Sequence, residues 1–555
     1  MKKLIRTIVF VVSGILILRM TESILAKKWN YLGDDEDFSR TYDQFYKLDE
    51  DVLQAVFLGK SSVKWSVSPI LLYKENNYVT YNLASNYQPV ALSYHLLYEV
   101  FKRQSPEVVF CDVSALFENV NMDYTWHMAL DNMPMSKNKI NAAFTYAQIL
   151  NEEEHNDEES YRSFEVDFLS MMSPLYSYHS RWDSLNQNDF IKPKNPHYDF
   201  LAGYYMTAVV SGTGLTYEKV NAEVDTLKMK EGFKKEYLNG KYMEHEVEEE
   251  LYEVKWDQTA IEYVKKMKKL CEDQGAALVM VKIPTMYMPQ EWYGSWSYDK
   301  YIMVKKLCDE MGIPFLDMVY DKGYPAEIDW QQDTLDHGMH LNIRGAEKVT
   351  KRFGKYMEDM GLEKKICEFY WNCFRDYEYM SQICALQSEC NLNEYLSGAL
   401  EGGNYTIVIS AQNDFQTALS EENVQILSKT GFRSNFTEGI RDSFIGIIRQ
   451  GEVKYEALSN RKIEYEDFLP GGGGKMEIIS SGYNTGAYSS IMIEGQEYSM
   501  NRSGLNIVVF DNDTQLVVDS VNFNTQYPAA SGYRDPGMTR SCLTQYKVNI
   551  IGNDQ

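Results

Sequence analysis

The sequence is poor in positive charge, in cysteine and in long apolar runs. Its 555 residues include 55 Lys and Arg against 80 Asp and Glu, which gives a net charge of −25. Such a field repels the phosphates of nucleic acids, so we set nucleic-acid binding aside. Hydrophobic residues still make up 44% of the chain, enough to form buried cores. The length predicts more than one folded domain.

The eight cysteines lack the short spacing of a zinc ribbon. Cys271 and Cys308 stand beside leucines in helix-like segments and are predicted to be core residues. No C-x-x-C spacing occurs among the other clustered cysteines, so one or two disulfides are favoured over a metal. These clustered cysteines are Cys367, Cys373, Cys384 and Cys390. We expect neither a metal nor a cofactor.

An apolar run of twelve residues stands near the start of the chain, from Thr7 to Leu18, after a basic stretch that ends at Arg6. This order is typical of an export signal. The run is short for a spanning helix unless Arg6 and Arg19 snorkel to the interfaces. A cleaved signal and a retained anchor both remain possible. Cleavage after Ala26 would place Ile24 at a position where signal peptidases prefer a small residue, which favours the anchor. We expect a single pass within residues 1–28 with the bulk extracytoplasmic, or a secreted protein if the segment is cleaved.

From Asp51 to Met360 short apolar runs alternate with amphipathic helical stretches, which predicts an α/β domain with a parallel sheet at residues 29–365. A polar insertion at about 117–255 is too long for a simple crossover and could wall a cleft. The predicted strands are Ala55 to Leu58, Tyr78 to Leu83, Val108 to Asp112, Ala277 to Ile283 and Pro314 to Asp317. The predicted helices are Ala91 to Gln104, Ala260 to Gln274, Tyr301 to Met311 and Ala346 to Met360.

A second, strand-rich α+β domain is predicted at residues 381–535, after a cysteine-containing connector at 366–380 and before a tail at 536–555. Its β-branched runs are punctuated by glycine. They are Tyr405 to Ser410, Phe444 to Arg449, Glu477 to Ile479, Ser490 to Ile493, Leu505 to Phe510 and Leu516 to Val521.

Candidate catalytic residues stand at the ends of the predicted strands. Ser61 follows the first strand, at the edge where open α/β folds build their sites. A phosphate loop is excluded there, because that motif needs glycine where the chain has Gln54. Near the end of the same domain, a loop with Asp336, His337 and His340 precedes a helix and could supply a base for the serine. Asp112 at the end of the third strand could face the site or cap the next element.

These residues resemble the SGNH/GDSL hydrolase superfamily, particularly its membrane-anchored DltD-like and alginate-acetylation-like branch. The resemblance rests on Gly59-Lys60-Ser61, on the stretch from Tyr81 to Gln88, and on the late block from Asp336 through His340-Leu-Asn to Gly345-Ala346. It implies a flavodoxin-like fold with Ser61 as nucleophile, His340 as base and Asp336 as the orienting acid. His337 ranks second to His340. The implied oxyanion donors are the backbone N–H of Ser61 and one from the loop with Ser85 and Asn86.

The chain departs from that family pattern at three places. Lys60 precedes the nucleophile where Asp or Ser is usual, and its side chain could stabilise an oxyanion, lower the pKa of the serine, or point into solvent. The acid stands four residues before the histidine, where three is commoner. A Gly-x-Asn-Asp block is missing.

The C-terminal region resembles the ILEI/PANDER domain, which is known from cytokine-like secreted proteins and from a sugar-binding stem domain. The resemblance rests on Arg441-Asp442-Ser443-Phe444, Ser480-Ser481-Gly482-Tyr483, Gly504 to Phe510 and Asp519 to Thr525. It implies a module that binds carbohydrate.

Two functions are compatible with these patterns. The first is an exported, membrane-anchored esterase or O-acyltransferase acting on a cell-surface polysaccharide, with the C-terminal module binding the glycan and a membrane-bound O-acyltransferase as a possible donor partner. The second is a non-catalytic glycan-binding or scaffold protein of a polysaccharide assembly system.

Overall fold

The computed structural model divides into two compact units, which contain the two sheets that the sequence predicts. Unit 1 comprises residues 1–205, 211–341 and 345–374, and unit 2 comprises residues 206–210, 342–344 and 375–555. The structure describes residues 2–27, 39–117, 122–153, 163–190, 201–210, 235–238, 241–244, 256–285, 296, 298–320, 323, 326–336, 338–527, 532–539 and 541–543.

Unit 1 is built on a parallel five-stranded sheet, β1 to β3, β6 and β7, in the order β2-β1-β3-β6-β7. The chain moves from β1 outward to β2 and then crosses to β3 on the other side, so β1 marks a topological switch point. The fold class is therefore α/β and flavodoxin-like. The strands are β1 (Ala55–Gly59), β2 (Thr80–Ala84), β3 (Val108–Asp112), β6 (Ala277–Lys282) and β7 (Phe315–Asp317). A separate hairpin pairs β4 (Lys235–Leu238) with β5 (Lys241–Glu244).

The strands of this sheet are buried on both faces, because helices cover both. Phe57 stacks on Phe110 with ring centroids 4.7 Å apart, and Phe353 meets both rings edge-on. Continuous apolar runs such as Ala-Val-Phe-Leu-Gly are the sequence counterpart of this double burial. The flanking helices are α3 (Ser61–Ser66), α4 (Pro69–Asn76), α5 (Val90–Phe101), α11 (Gln258–Gln274), α12 (Tyr298–Met311) and α13 (Ile343–Asp359).

The N-terminal segment is helical where the structure describes it, and the insertion is mainly helical between residues 123 and 190. Helix α1 (Lys2–Leu25) is, within the described part of the chain, the helix long and apolar enough to cross a membrane, with a mean hydropathy of 2.0 over Lys3–Leu25. Helix α2 (Ser39–Phe45) follows it. The insertion forms α6 (Asp123–Asn132), α7 (Lys137–Glu153), α8 (Phe164–Met172), α9 (Pro174–Tyr178), a 3₁₀ helix (His179–Asp183) and α10 (Gln187–Phe190).

Unit 2 contains a ten-stranded sheet that is almost entirely antiparallel, with β8 at its centre. An apolar cluster that includes Val408, Ile447, Ile478 and Val508 lies at its core. The strands are β8 (Tyr405–Asn413), β9 (Ser443–Arg449), β10 (Glu452–Ser459), β11 (Ile463–Phe468), β12 (Lys475–Gly482), β13 (Tyr488–Ile493), β14 (Gln496–Glu497), β15 (Gly504–Asp511), β16 (Leu516–Phe523) and β17 (Gly532–Tyr533). Helices α15 (Leu392–Glu401) and α16 (Glu421–Lys429) accompany the sheet.

Most of the cysteine-containing connector at 366–380 lies in a long helix, α14 (Glu368–Ser388), which begins directly after Cys367. The prediction of one or two disulfides is wrong, since the structure has no disulfide among the cysteines, all of which lie in its described part. Cys367, Cys373 and Cys384 are buried instead. Burial raises the pKa of the Cys367 and Cys390 thiols, which keeps them protonated and unreactive. Cys271 and Cys308 are buried core residues, as the sequence predicts.

Candidate active site

Polar and small residues end the strands of the unit 1 sheet along its carboxyl edge. Gly59 ends β1, Asp112 ends β3 and Lys282 ends β6. After β1 the chain turns within one residue into α3, whose first residue is Ser61. Ser61 therefore stands at the switch point, where open α/β sheets bind their ligands.

Gly59 is the residue that makes this turn possible. Its φ is +148°, in the region that glycine adopts without strain, and an added Cβ would lie 2.5 Å from the Cβ of Asp112. No other residue fits both the dihedral angle and the gap. The glycine thus fixes the exit of β1 and the start of the helix that carries Ser61.

Three of the residues singled out from the sequence meet in one hydrogen-bonded chain. The Nε2 atom of His340 lies 2.7 Å from Ser61 Oγ. The Nδ1 atom of the same ring lies 2.6 Å from Asp336 Oδ2, and Asp336 Oδ1 accepts the backbone N–H of His340 at 2.7 Å. Ser61, His340 and Asp336 therefore have the geometry of a nucleophile, a base and an orienting acid.

The carboxylate of Asp336 determines which nitrogen of the His340 ring carries the proton. A carboxylate only accepts hydrogen bonds, so the Nδ1 atom that faces it carries the proton. In the neutral imidazole Nε2 is then the acceptor, and the Ser61 hydroxyl donates to it. His340 is exposed by 21% and Asp336 by 32% of their side chains, so the chain of hydrogen bonds lies at an accessible surface.

A short closed loop accounts for the four-residue spacing between acid and histidine. Thr334 and Leu341 form an antiparallel bridge across its base, and the N–H of Leu335 donates to the carbonyl of His340. Gly338 has a φ of +97°, which takes the additional residue into the turn. The base of the loop is held by Asp333, whose buried carboxylate pairs with Lys348 at 2.6 Å. His337, the competing histidine, lies outside the described residues.

Asp112 performs both roles that the sequence left open. It caps the 3₁₀ turn Val113–Leu116 by accepting the N–H of Ser114, and it accepts the hydroxyl of Ser62, the neighbour of Ser61, at 2.9 Å. Lys282 Nζ donates to Ser114 Oγ at 3.0 Å. The residue after the nucleophile is thereby tied to the ends of β3 and β6.

The loop after β2 holds the other predicted oxyanion residues. The N–H of Ser85 donates to the carbonyl of Gly59 at 3.2 Å, so this donor is already engaged in the backbone. The buried Gln88 accepts the Ser85 hydroxyl at 3.0 Å and donates to the carbonyl of Leu83. Asn86 is half-buried, and its carbonyl accepts the hydroxyl of Thr125 in α6. Of the two loop residues, Asn86 thus keeps its N–H for a ligand more readily than Ser85.

Lys60 does not project into solvent, because the residue is only 8% exposed. The alternative in which it is an ordinary solvated lysine is wrong. On the other side of the nucleophile, Trp65 lies 5.7 Å from the His340 ring, and Tyr205 packs 4.3 Å from Trp65. The sequence analysis does not identify these two aromatic residues. Trp65 lies four residues after Ser61 in α3, and this spacing places both residues on the same face of the helix.

A buried carboxyl group lies at the end of β7 on the same edge. Burial raises the pKa of Asp317 to about 6, although it accepts the N–H groups of Val319 and Tyr320 and the indole of Trp296. Within the part of the chain that the structure describes, no cluster of His, Cys, Asp and Glu has the arrangement of a metal site. His179 is exposed and bonded to the carbonyl of Tyr176, away from the hydrogen-bonded chain of the site.

In unit 2 the structure brings the separate sequence motifs together. Gly482 N–H donates to Ser443 Oγ, and Ser480 Oγ accepts the N–H of Phe444. A Cβ on Gly482 would lie 1.9 Å from the carbonyl oxygen of Arg441, so the two segments approach as closely as backbones can. The Arg441 guanidinium lies 4.6 Å from the centre of the exposed ring of Tyr483.

Comparison with known proteins adds little to this geometry. No family model matches the chain, and no curated protein matches it. One similar solved structure is a Bacteroides fragilis protein proposed to be an acylhydrolase, with 10% identity, a TM-score of 0.24, and coverage of 60% of this chain and 99% of the other. Another is a GDSL-like lipase of Bacteroides thetaiotaomicron, with 10% identity, a TM-score of 0.25, and coverage of 59% and 100%. The strand order and the hydrogen bonds of the site therefore carry the structural conclusions.

Proposed function

We propose that the protein is an SGNH-type serine esterase or O-acyltransferase of the membrane-anchored branch, with a cell-surface polysaccharide as its substrate. The observation that carries the proposal is the continuous chain of hydrogen bonds from Ser61 through His340 to Asp336. Ser61 is 275 positions before Asp336 and 279 before His340. A site that had lost its activity would not be expected to retain a distance of 2.7 Å from Ser61 to His340 and of 2.6 Å from His340 to Asp336.

The proposed reaction begins when Ser61 Oγ attacks the carbonyl carbon of an ester. His340 Nε2 takes the hydroxyl proton, and the carboxylate of Asp336 stabilises the imidazolium. The leaving alcohol takes that proton as the ester C–O bond breaks, which leaves an acyl group on Ser61. Water then attacks the acyl carbon in a hydrolase and a sugar hydroxyl attacks it in a transferase, and His340 again accepts the proton of the entering group. The bond from the acyl carbon to Ser61 Oγ breaks, His340 returns the proton to the serine, and the acid or the new ester leaves.

The developing oxyanion needs N–H donors. Ser61 is the first residue of α3, so its N–H has no partner within the helix. We assign this N–H and that of Asn86 to the oxyanion, and Gln88 holds the Asn86 loop in place. Each such donor contributes about 3 to 4 kcal/mol to the transition state in enzymes of this kind.

The proposed location and ligand rest on the two ends of the chain. Helix α1 has the length and composition of a signal anchor, and an anchored enzyme would act outside the cytoplasm. In unit 2 the exposed ring of Tyr483 beside Arg441 supports carbohydrate binding, because sugar rings stack on exposed aromatic faces and hydroxyls accept from guanidinium groups.

The test is turnover of p-nitrophenyl acetate by the full chain in detergent, with and without an acceptor oligosaccharide. We expect acetate release that is lost in Ser61→Ala, and labelling of Ser61 by a fluorophosphonate, located by mass spectrometry. Ser62→Ala is the matched control, since it removes the adjacent hydroxyl but leaves Ser61 and His340 in place. If Ser61→Ala keeps full activity both with and without the acceptor, the assignment of Ser61 is wrong. If the wild type shows neither turnover nor labelling, a scaffold function becomes the better account.

A further inference from the structure

The structure points to a membrane-interface surface on the insertion of unit 1. We propose that Tyr176, Trp182 and Phe190, here called the aromatic collar, sit in the headgroup region of the bilayer that α1 spans. The inference rests on the proposed anchoring role of α1, and it adds a second contact with the lipid that holds unit 1 against the membrane surface.

The collar elements are bonded to the C-terminal end of α1. Helix α9, the 3₁₀ helix and α10 all pack against α1. Arg181 Nη1 donates to the carbonyls of Leu25 and Ala26 at 2.7 and 2.9 Å, and Ser173 Oγ donates to Glu22 at 3.3 Å. Arg181 thus satisfies carbonyls that the end of a helix leaves without partners.

This cap is held rigidly. Arg181 Nη2 pairs at 2.9 Å with Asp189, whose side chain is only 2% exposed. The second carboxylate oxygen of Asp189 accepts the N–H of Asn186 at 2.9 Å. The guanidinium of Arg181 thus joins the end of α1, through Nη1, to Asp189 of the folded insertion, through Nη2.

The length of α1 sets the depth of the collar. Its 24 residues extend about 36 Å at 1.5 Å per residue, whereas the hydrocarbon core is about 30 Å thick. A helix that spans this core therefore ends in the headgroup region, and Arg19, 71% exposed, lies within two turns of that end. Ser173 and Arg181, which are hydrogen-bonded to this end of α1, must therefore lie at the depth of the headgroups as well.

The collar has the side chains that this level favours. Tyr176 is exposed by 40%, Trp182 by 73% and Phe190 by 62%. Tryptophan and tyrosine concentrate at membrane interfaces, where an apolar ring and a polar group are both accommodated. Three exposed aromatic residues on elements that contact the end of a spanning helix fit a lipid surface.

One helix connects the collar to the catalytic edge. Tyr178 Oη donates to Asp131 Oδ2 of α6 at 2.5 Å, and its ring lies 5.4 Å from that of His127. Ten residues, or about 15 Å, make up α6, whose Thr125 bonds the Asn86 carbonyl beside the triad. The collar would thus keep Ser61 near the leaflet, so the substrate is expected to be membrane-proximal.

The test is quenching of tryptophan emission by brominated phosphatidylcholine, with the full chain in nanodiscs. We expect shallow bromines to quench Trp182, so that the quenched part of the tryptophan emission falls in Trp182→Phe. The matched control is Trp371→Phe, since Trp371 is 67% exposed. It lies in the first turn of α14, where the neighbouring Tyr370 donates a hydrogen bond to the carbonyl of Thr80. Thr80 begins β2, so this turn lies at the amino ends of the strands, opposite to the edge with Ser61.

The proposal is overturned if both variants lose the same quenching, if neither does, or if carbonate extraction releases the chain from membranes. Turnover of the soluble ester p-nitrophenyl acetate is measured on the same samples. It should be equal in Trp182→Phe and wild type, which shows that the variant is folded. Normal turnover without specific quenching of Trp182 would contradict the membrane contact alone. Specific quenching of Trp182 without turnover would contradict the proposed function alone.

Discussion

Replacing Asp336 with asparagine tests the chemistry of the site with the smallest change in shape. The asparagine Oδ1 can keep the bond to the backbone N–H of His340, which is 2.7 Å from Asp336 Oδ1. Its NH₂ group then faces Nδ1 at the 2.6 Å position and can only donate. The ring must move its proton to Nε2, so Ser61 meets an N–H and loses its base.

The expected loss in kcat is about 10⁴-fold, the size that the wrong tautomer causes in serine proteases. This corresponds to about 5 kcal/mol of transition-state stabilisation. KM should change little, because the carboxylate contacts the ring and not the substrate. The assay is steady-state hydrolysis of p-nitrophenyl acetate, with the thermal midpoint as a measure of folding.

Asp329→Asn is the matched control, because Asp329 is an exposed aspartate near the same loop that also accepts a backbone N–H, that of Gln331. It should leave kcat within a few-fold of wild type. An Asp336→Asn variant that keeps more than a tenth of wild-type kcat would refute the role of this carboxylate. Equal losses in both variants would point to general damage of the loop instead.

Three further predictions follow from buried groups. Gly59→Ala places a Cβ 2.5 Å from Asp112 at a φ of +148°, so strain and overpacking should cost about 2 to 5 kcal/mol and lower both the thermal midpoint and kcat; wild-type values would contradict this. The raised pKa of Asp317, about 6, means that the folded state holds a proton that the unfolded state releases, so its contribution to stability falls as pH rises from 4 to 6. The thermal midpoint of wild type relative to Asp317→Asn should fall across that window, and a difference that stays constant would contradict the assignment. Arg534→Met leaves the fully buried Asp519 without its bidentate partner and should destabilise unit 2 by about 3 to 5 kcal/mol, seen as an earlier unfolding step, while turnover at Ser61 persists; an unchanged melting curve would contradict it.

The sequence predicts those elements whose patterns match their burial. All five strands of the unit 1 sheet are predicted within two residues of their ends, because strands buried on both faces read as continuous apolar runs. Four strands of unit 2 are not predicted, namely β10, β11 and the two-residue strands β14 and β17. Glu452–Ser459 and Ile463–Phe468 lie half in solvent, and their acidic residues mask the alternation.

The cysteine cluster shows how a pattern can be misinterpreted. Cys367, Tyr370, Cys373, Tyr377 and Cys384 are all buried, and their spacing of three, three, four and seven is that of one helix face. The cysteines belong to the apolar face of α14 and act as small hydrophobic residues. The prediction of disulfides was wrong because the spacing of these cysteines is that of a buried helix face.

The site could be predicted only in part from its residues. Strand ends and the late histidine block select Ser61, Asp336 and His340, because side-chain identity and position after a strand are visible in a sequence. The engagement of the Ser85 N–H by the carbonyl of Gly59 is not visible, since any residue there could make that backbone bond. Likewise, the contact of Trp65 with His340 joins segments that no local pattern connects.

The hydrogen bond between Ser61 and His340 joins residues 279 positions apart, from the first strand and from the loop after the last one. During synthesis from the N-terminus the serine is made early, and the histidine is made only after almost all of unit 1. The growing polypeptide therefore cannot form the hydrogen bond between Ser61 and His340 until unit 1 is nearly complete. Two fragments divided within the insertion should each lack this hydrogen bond until they reassociate.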